Sequence, residues 1–205
     1  MDRRRLHPQG VLAVLVIVAA GCGLFEPREP KLASVIPPPP CLARLDPDSV
    51  VVNIAVHYAR GGDCYPAQLA DSVSPELAGF HFYPDIQDSL ESLPRDPFTG
   101  WNKAIETSVT LSVAASADTI IVVFDSTYAS PTIGSTSPTR ETFYYEYHLL
   151  AVTAPGDTTR YQGQAELTMV RPTTTWSLEG FRDHRDASGR PTWGILRGSK
   201  RQASP

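Results

Sequence analysis

Glu146, His148 and Glu166 are the side chains whose types and spacing come nearest to a reactive cluster. Glu146 and His148 stand two apart in the run Phe143–Thr153, and Glu166 stands in Arg160–Arg171. Both runs read as long strands, joined by a turn at Ala154-Pro155-Gly156-Asp157. Residues two apart on a strand share a face, so the three can meet there. Together they could hold a metal ion or serve as a general acid–base pair. The same pattern also describes the wetted face of a sheet covered on one side only. His57, His81 and His184 are isolated, and Ser135 and Ser137 lie in a polar stretch with no partner signature. There is no Gly-rich phosphate loop, nucleophile elbow or zinc spacing, so no metal and no cofactor is expected. Trp101, Trp176 and Trp193 either line a ligand cavity or anchor a core, and in a small domain the second is commoner.

The thiols are Cys22, Cys41 and Cys64. Before the first come Arg3, Arg4 and Arg5, then the unbroken apolar run Val11 to Ala20, then small residues up to Gly21. That is the anatomy of a secretory signal, and the run is too short for a permanent span, which needs about 20 apolar residues. Val18-Ala19-Ala20-Gly21-Cys22 resembles the lipobox of bacterial lipoproteins, with Ala19 where that pattern usually has Leu. The resemblance implies that residues 1–21 are removed and that Cys22 carries acyl chains such as palmitate. Two or more chains anchor a protein stably, at about 0.8 kcal/mol per buried CH₂. Gly23 follows where Asp would favour the inner membrane, so the resemblance leans towards the outer membrane, facing the periplasm. An exported compartment permits disulfides. A Cys41–Cys64 bridge would require residues 41–46 to double back along the first helix. That helix is about 21 Å long at 1.5 Å per residue, and six extended residues reach about 20 Å, so the bridge is feasible but tight.

The chain has 205 residues with 41% hydrophobic, enough for one folded domain with a real core. A net charge of −4 argues against a nucleic-acid partner, which calls for a basic stripe. Every aromatic except Phe25 lies between Tyr58 and Trp193, which places the folded domain at 46–197. Residues 22–45, with Pro27, Pro30 and Pro37 to Pro40, read as a stiff tether, and 198–205 as a disordered tail.

Within the domain, Asp46-Pro47-Asp48 is a helix start, Val51, Ile54, Ala55 and Tyr58 recur at helical spacing, and Gly61-Gly62 is the expected stop. Asp63 is placed to cap a second short helix through Leu69. Gly79–Tyr83 reads as a strand and Asp85–Gly100 as a long loop. Residues 101–113 fit a helix by Trp101, Ile105, Val109 and Val113 and a strand by Val109, Leu111 and Val113. Thr119–Asp125 and then Phe143–Thr153, Arg160–Arg171 and Thr174–Arg182 read as strands of an antiparallel meander.

The order of these elements resembles that of the NTF2-like (SnoaL-type) superfamily, a cone-shaped α+β roll of N-terminal helices packed on a curved antiparallel sheet. Asp48-Ser49-Val50 with Asn53, Tyr58 and Asp63-Cys64-Tyr65 is similar to the opening helices of NTF2-like envelope lipoproteins. Trp176 to Asp183, followed by Pro191-Thr192-Trp193-Gly194, is similar to their closing strand and Trp-Gly tail. The inserted Val73–Ala78 and the extended 85–100 segment depart from the pattern. The resemblance implies that 101–113 is helix and that Tyr58, Trp101 and Trp176 are candidates to line the cone. It also brings in ketosteroid isomerases and polyketide cyclases, whose cones need a buried carboxylate opposite a tyrosine or acid. Tyr58 and Tyr65 could supply hydroxyls and Asp183 a carboxylate, although at a strand end Asp183 is expected to cap the following turn. The expected function is therefore a lipid-anchored, non-catalytic NTF2-like domain that binds an envelope protein or a small apolar ligand. The alternative is a small-molecule isomerase or cyclase working inside the cone.

Overall fold

The computed structural model describes residues 39–72, 77–92, 95–128, 139–153 and 156–203. The leader, Cys22, most of the tether, Ser135, Ser137 and the Ala154-Pro155 pair lie outside them. No helix among the described residues is long and apolar enough to cross a membrane.

The first helix, α1 (Pro47–His57), begins as its sequence demands. The Asp46 carboxylate accepts from the Ser49 N–H at 2.7 Å and from the Ser49 hydroxyl at 2.8 Å. The helix stops at His57, ahead of Gly61-Gly62, because Tyr58 already turns extended (ψ 131°) and Ala59 takes φ 56°. Helix α2 (Cys64–Gln68) follows, with Asp63 before it but making no side-chain cap. Strand β1 (His81–Tyr83) leads into α3 (Ile86–Glu91), a helix inside the segment expected to be loop. Asp85 caps α3 by accepting from the Gln87 N–H at 2.8 Å. Ile86 is 78% exposed, so no apolar stripe announces this helix. Arg185 holds it instead, reaching Asp88 and Glu91 at 2.8 and 2.5 Å.

Helix α4 (Lys103–Ser116) resolves the ambiguity at 101–113 in favour of helix, with the Asn102 side chain accepting from the Ile105 N–H. Strands β2 (Thr119–Tyr128), β3 (Thr139–Thr153), β4 (Asp157–Arg171) and β5 (Ser177–His184) complete one five-stranded sheet, ordered β1-β5-β4-β3-β2. All its pairings are antiparallel except β1 with β5. The architecture is α+β, with helices on a curved, unclosed sheet. Phe143, Tyr145, Tyr147 and Leu149 point into the core from β3, and Gly163, Ala165, Leu167 and Met169 do so from β4. These are the faces that alternation assigns them.

Three expectations are corrected. The tether does not run to residue 45, because residues 41–45 are stapled to the domain. Cys41 and Cys64 are joined by a disulfide, the Leu42 N–H donates to Asn53 Oδ1 at 2.8 Å, and the Trp176 N–H donates to the Arg44 carbonyl at 2.8 Å. The bridge is reachable because α1 is only 11 residues long. That last hydrogen bond commits Trp176 outside the sheet, so β5 starts at Ser177 and not at Thr174. The tail is not frayed from residue 198. Trp193–Ala203 forms a fifth helix, α5, started by Thr192, whose hydroxyl accepts from the Ile195 N–H at 3.2 Å.

Strand β5 carries the detail that matters most for the interior. Met169 pairs with Leu178 while Thr168 pairs with Gly180, so Glu179 is an extra residue in a bulge. Simple alternation sets Phe181 and Asp183 on the side opposite Leu178. The bulge reverses the phase, and Leu178, Phe181 and Asp183 are all fully buried.

Candidate functional site

Two buried polar networks occupy the space between the helices and the inner face of the sheet. The first centres on Glu106 of α4, which is fully buried. Its Oε1 accepts from the Tyr65 hydroxyl at 2.6 Å and from Arg197 Nε at 3.2 Å, and its Oε2 accepts from Trp101 Nε1 at 2.8 Å. Arg197 Nη2 lies 3.1 Å from the same Oε1 but is poorly aligned for a hydrogen bond. Four rings surround the Arg197 guanidinium, with centroids 4.3 Å (Phe82), 4.3 Å (Phe181), 4.5 Å (Trp193) and 5.9 Å (Tyr58) from Cζ. Burial, the largest single influence, favours the neutral guanidine, but Glu106 together with Tyr65, Tyr58 and Asp183 outweighs it and Arg197 stays charged. Burial pushes the Tyr58 and Tyr65 hydroxyls up, so neither can ionise to act as a base.

The second network centres on Asp183. The Trp193 N–H donates to Tyr147 Oη at 2.8 Å, the Tyr147 hydroxyl donates to Asp183 Oδ1 at 2.7 Å, and the Gly194 N–H donates to Asp183 Oδ2 at 2.6 Å. Asp88 lies beside it, accepting from the Thr192 hydroxyl and from Arg185 Nε. Burial pushes the Asp183 carboxyl up to about 7, against the Tyr147 and Gly194 hydrogen bonds and the Arg197 charge, while Asp88 adds to the rise. Asp88 is itself raised by burial. A Cβ on Gly194 would lie 2.8 Å from Asp88 Oδ2 and 3.2 Å from Asp183 Oδ2, so α5 rests directly on both carboxyl groups. Gly163 gives Tyr147 its room, since a Cβ there would lie 2.7 Å from the phenol oxygen. Asp183 therefore does not cap the turn after β5. It accepts from the N-terminus of α5, where exposed N–H groups and the helix dipole favour a carboxylate.

The other sequence candidates fall apart in space. Tyr58 and Trp101 are buried in the interior and Trp176 is buried beneath Arg171, whose Cζ is 5.0 Å from its ring. None of the three borders a groove described below. Glu146, His148 and Glu166 do not form one cluster. His148 faces Asp125 of β2 at 3.4 Å, and Glu166 faces His184 at 3.3 Å and Arg182 at 3.8 Å, on the outer face of the sheet. Among the described residues no group of three or more His, Cys, Asp or Glu could hold a metal ion. The sequence reading missed Glu106, Arg197, Tyr147 and Asp88. A signal did exist for α5: Thr192 precedes Trp193, Leu196 and Arg197 at helical spacing.

Concavities open on the outside. One of about 250 Å³ lies between the turn after α1 and α4, lined by His57, Tyr65, Pro66, Thr107, Thr110 and Leu111, among others. Another of about 260 Å³ lies on the outer sheet face by Ile121, Val123, His148, Leu150 and Arg160. Leu111, Ile121 and Val123 are 53%, 47% and 45% exposed, so both concavities carry exposed apolar surface.

No protein-family model and no curated protein matches the sequence. Solved structures of similar fold include a Novosphingobium aromaticivorans protein provisionally assigned as an aromatic ring hydroxylase. It is 11% identical, with a TM-score of 0.48, covering 72% of this chain and 91% of that one. A Mycobacterium tuberculosis protein of unknown function is 9% identical, with a TM-score of 0.49, covering 76% and 84%. An NTF2-like superfamily protein from Salmonella enterica is 18% identical, with a TM-score of 0.45, covering 68% and 89%. These are likenesses of fold, and no residue role passes from them to this chain.

Proposed function

We propose that this chain is a lipid-anchored envelope protein whose NTF2-like domain binds a partner protein or a small apolar ligand at its surface and does not catalyse a reaction in its interior. One observation carries the second half of this reading: α5 sends Trp193 and Arg197 into the interior, both fully buried, with the Arg197 charge answered by Glu106. An active cone needs a reacting group facing a space that a substrate can enter. Here the charged groups face one another or the rings, and recognition falls to the outer concavities. The Cys41–Cys64 disulfide supports an oxidising compartment, in keeping with an exported chain.

The anchor is tested at Cys22. Cells labelled with palmitate should yield labelled wild-type protein and unlabelled Cys22→Ala, and equal labelling of the two would remove the anchor from this reading. The alternative, an isomerase or cyclase, draws support from Asp183, whose carboxyl titrates near 7 beside the Tyr147 hydroxyl. Against it, Asp183 is fully buried under α5. A phenolic ligand that perturbs Tyr147 and loses its affinity on Asp183→Asn would favour the enzyme.

A further inference from the structure

We propose that the interior of this domain is a recognition site for a guanidinium group, filled in this structure by the chain's own Arg197. The proposal deepens the closed-interior reading above, since it names what closes the interior and the ligand chemistry that would replace it.

The walls come from separate elements: Tyr58 follows α1, Phe82 is on β1, Phe181 on β5 and Trp193 on α5. Rings at 4.3–5.9 Å on several sides offer the negative faces of their π-systems to a cation, the arrangement by which aromatic cages hold guanidinium and ammonium ions. The floor is the Glu106 carboxylate. Tyr65 and Trp101 each donate to one of its oxygens, so its orientation does not depend on Arg197 alone. Cage and counter-charge are thus held by residues spread over the fold, and Arg197 enters as a single side chain from the C-terminal helix.

The fit of this occupant is imperfect in a telling way. Arg197 reaches Glu106 through Nε and Nη2, yet neither Nη1 nor Nη2 makes a well-aligned hydrogen bond. Trp193 Nε1 and the Tyr58 hydroxyl, which lie close to each other and to Arg197, also lack well-aligned hydrogen-bond geometry. A guanidinium tethered to α5 cannot rotate to present both of its N–H edges. A free one can turn towards the Glu106 carboxylate and form the paired contact that guanidinium and carboxylate prefer. Recognition is of the planar cation by rings and one carboxylate, so a spherical quaternary ammonium of similar charge should fit less well.

The test removes the tether and supplies the group. Arg197→Ala keeps Cβ and deletes what ethylguanidinium would replace. About 10 mM ethylguanidinium chloride should raise the thermal midpoint of full-length Arg197→Ala by several degrees, as expected of a ligand that binds only the folded chain. Equal concentrations of sodium chloride or tetramethylammonium chloride should not. Wild type, whose site is filled, should not respond, and Glu106→Gln combined with Arg197→Ala should lose the response. If Arg197→Ala is unfolded in buffer, the near-ultraviolet circular dichroism of its aromatic residues should return when ethylguanidinium is added. A shift no larger than that with sodium chloride, an equal shift in wild type, or no recovery of an unfolded variant would each overturn the proposal. The closed-interior reading would survive any of these, because Trp193 occupies the interior on its own account.

Discussion

Asp183 shows how one side chain can set the pH response of the whole domain. Its carboxyl titrates near 7 in the folded chain and at 3.8 as a free group, so the folded state holds the proton more tightly. The stability this gives is fully present below about pH 4 and is lost as the pH rises through about 7. A difference of that size corresponds to roughly 4 kcal/mol. Asp88, raised in the same direction, adds to the slope. Asp183→Asn should therefore flatten the fall in stability between pH 4.5 and pH 8, read as urea midpoints for the variant and the wild type. Parallel curves would show that another group titrates there. The position of Asp183 could not be read from its strand. Alternation set it on the face away from Leu178, and the extra residue Glu179 reversed that face.

At the scale of elements, α5 is the piece that turns an open arrangement into a filled one. Its first turn carries Trp193 and Gly194 onto Tyr147, Asp183 and Asp88, and its second carries Leu196 and Arg197 inwards. Its last turn is fixed by Arg201, which donates to the Pro97 carbonyl and lies 5.3 Å over the Trp101 ring. The close seat at Gly194 makes the helix testable without touching a charge. Gly194→Ala should push α5 off the two carboxyl groups and cost about 1–3 kcal/mol, the usual range for overpacking a core. Intensified binding of an apolar fluorescent dye should accompany the loss, because a displaced α5 exposes the rings beneath it. Unchanged stability would mean that α5 can shift without consequence. Helix α3 makes the complementary point. Its one buried residue is Asp88, and its ties to Arg185 span about 100 residues of sequence, so beyond the Asp85 cap nothing local marked it.

For the molecule as a whole, the folded domain begins at the bridge and not at the first helix cap. The disulfide closes a loop across a separation of 23 residues, for which loop entropy alone gives about 3 kcal/mol. Arg44 adds a backbone bond to Trp176 and side-chain bonds to Ala67 and Ser177. A chain beginning at Asp46 should fold, since the aromatic core lies beyond it, but with a stability lower by about 3 kcal/mol or somewhat more. Denaturant midpoints of that chain, of a chain beginning at Gly23, and of the latter under reducing conditions separate the bridge from the Arg44 contacts. Equal midpoints for all three would show that the staple contributes nothing.

What the sequence determined by itself is what neighbouring residues enforce on one another. Asp46-Pro47-Asp48 starts a helix because the cap, the proline and the acid act within one turn. Phe143 to Leu149 and Gly163 to Met169 face inward because successive strand residues alternate. Those local rules suffice for the α+β order and for both inner faces of the central strands. Only the tertiary structure decided the bulge at Glu179, the seating of α5 and the pairing of Glu106 with Arg197, which stand 91 residues apart. A bulge depends on the register of two strands, and a buried ion pair is stable only when the surrounding rings and donors are all in place. Neither condition is written in any short stretch of chain.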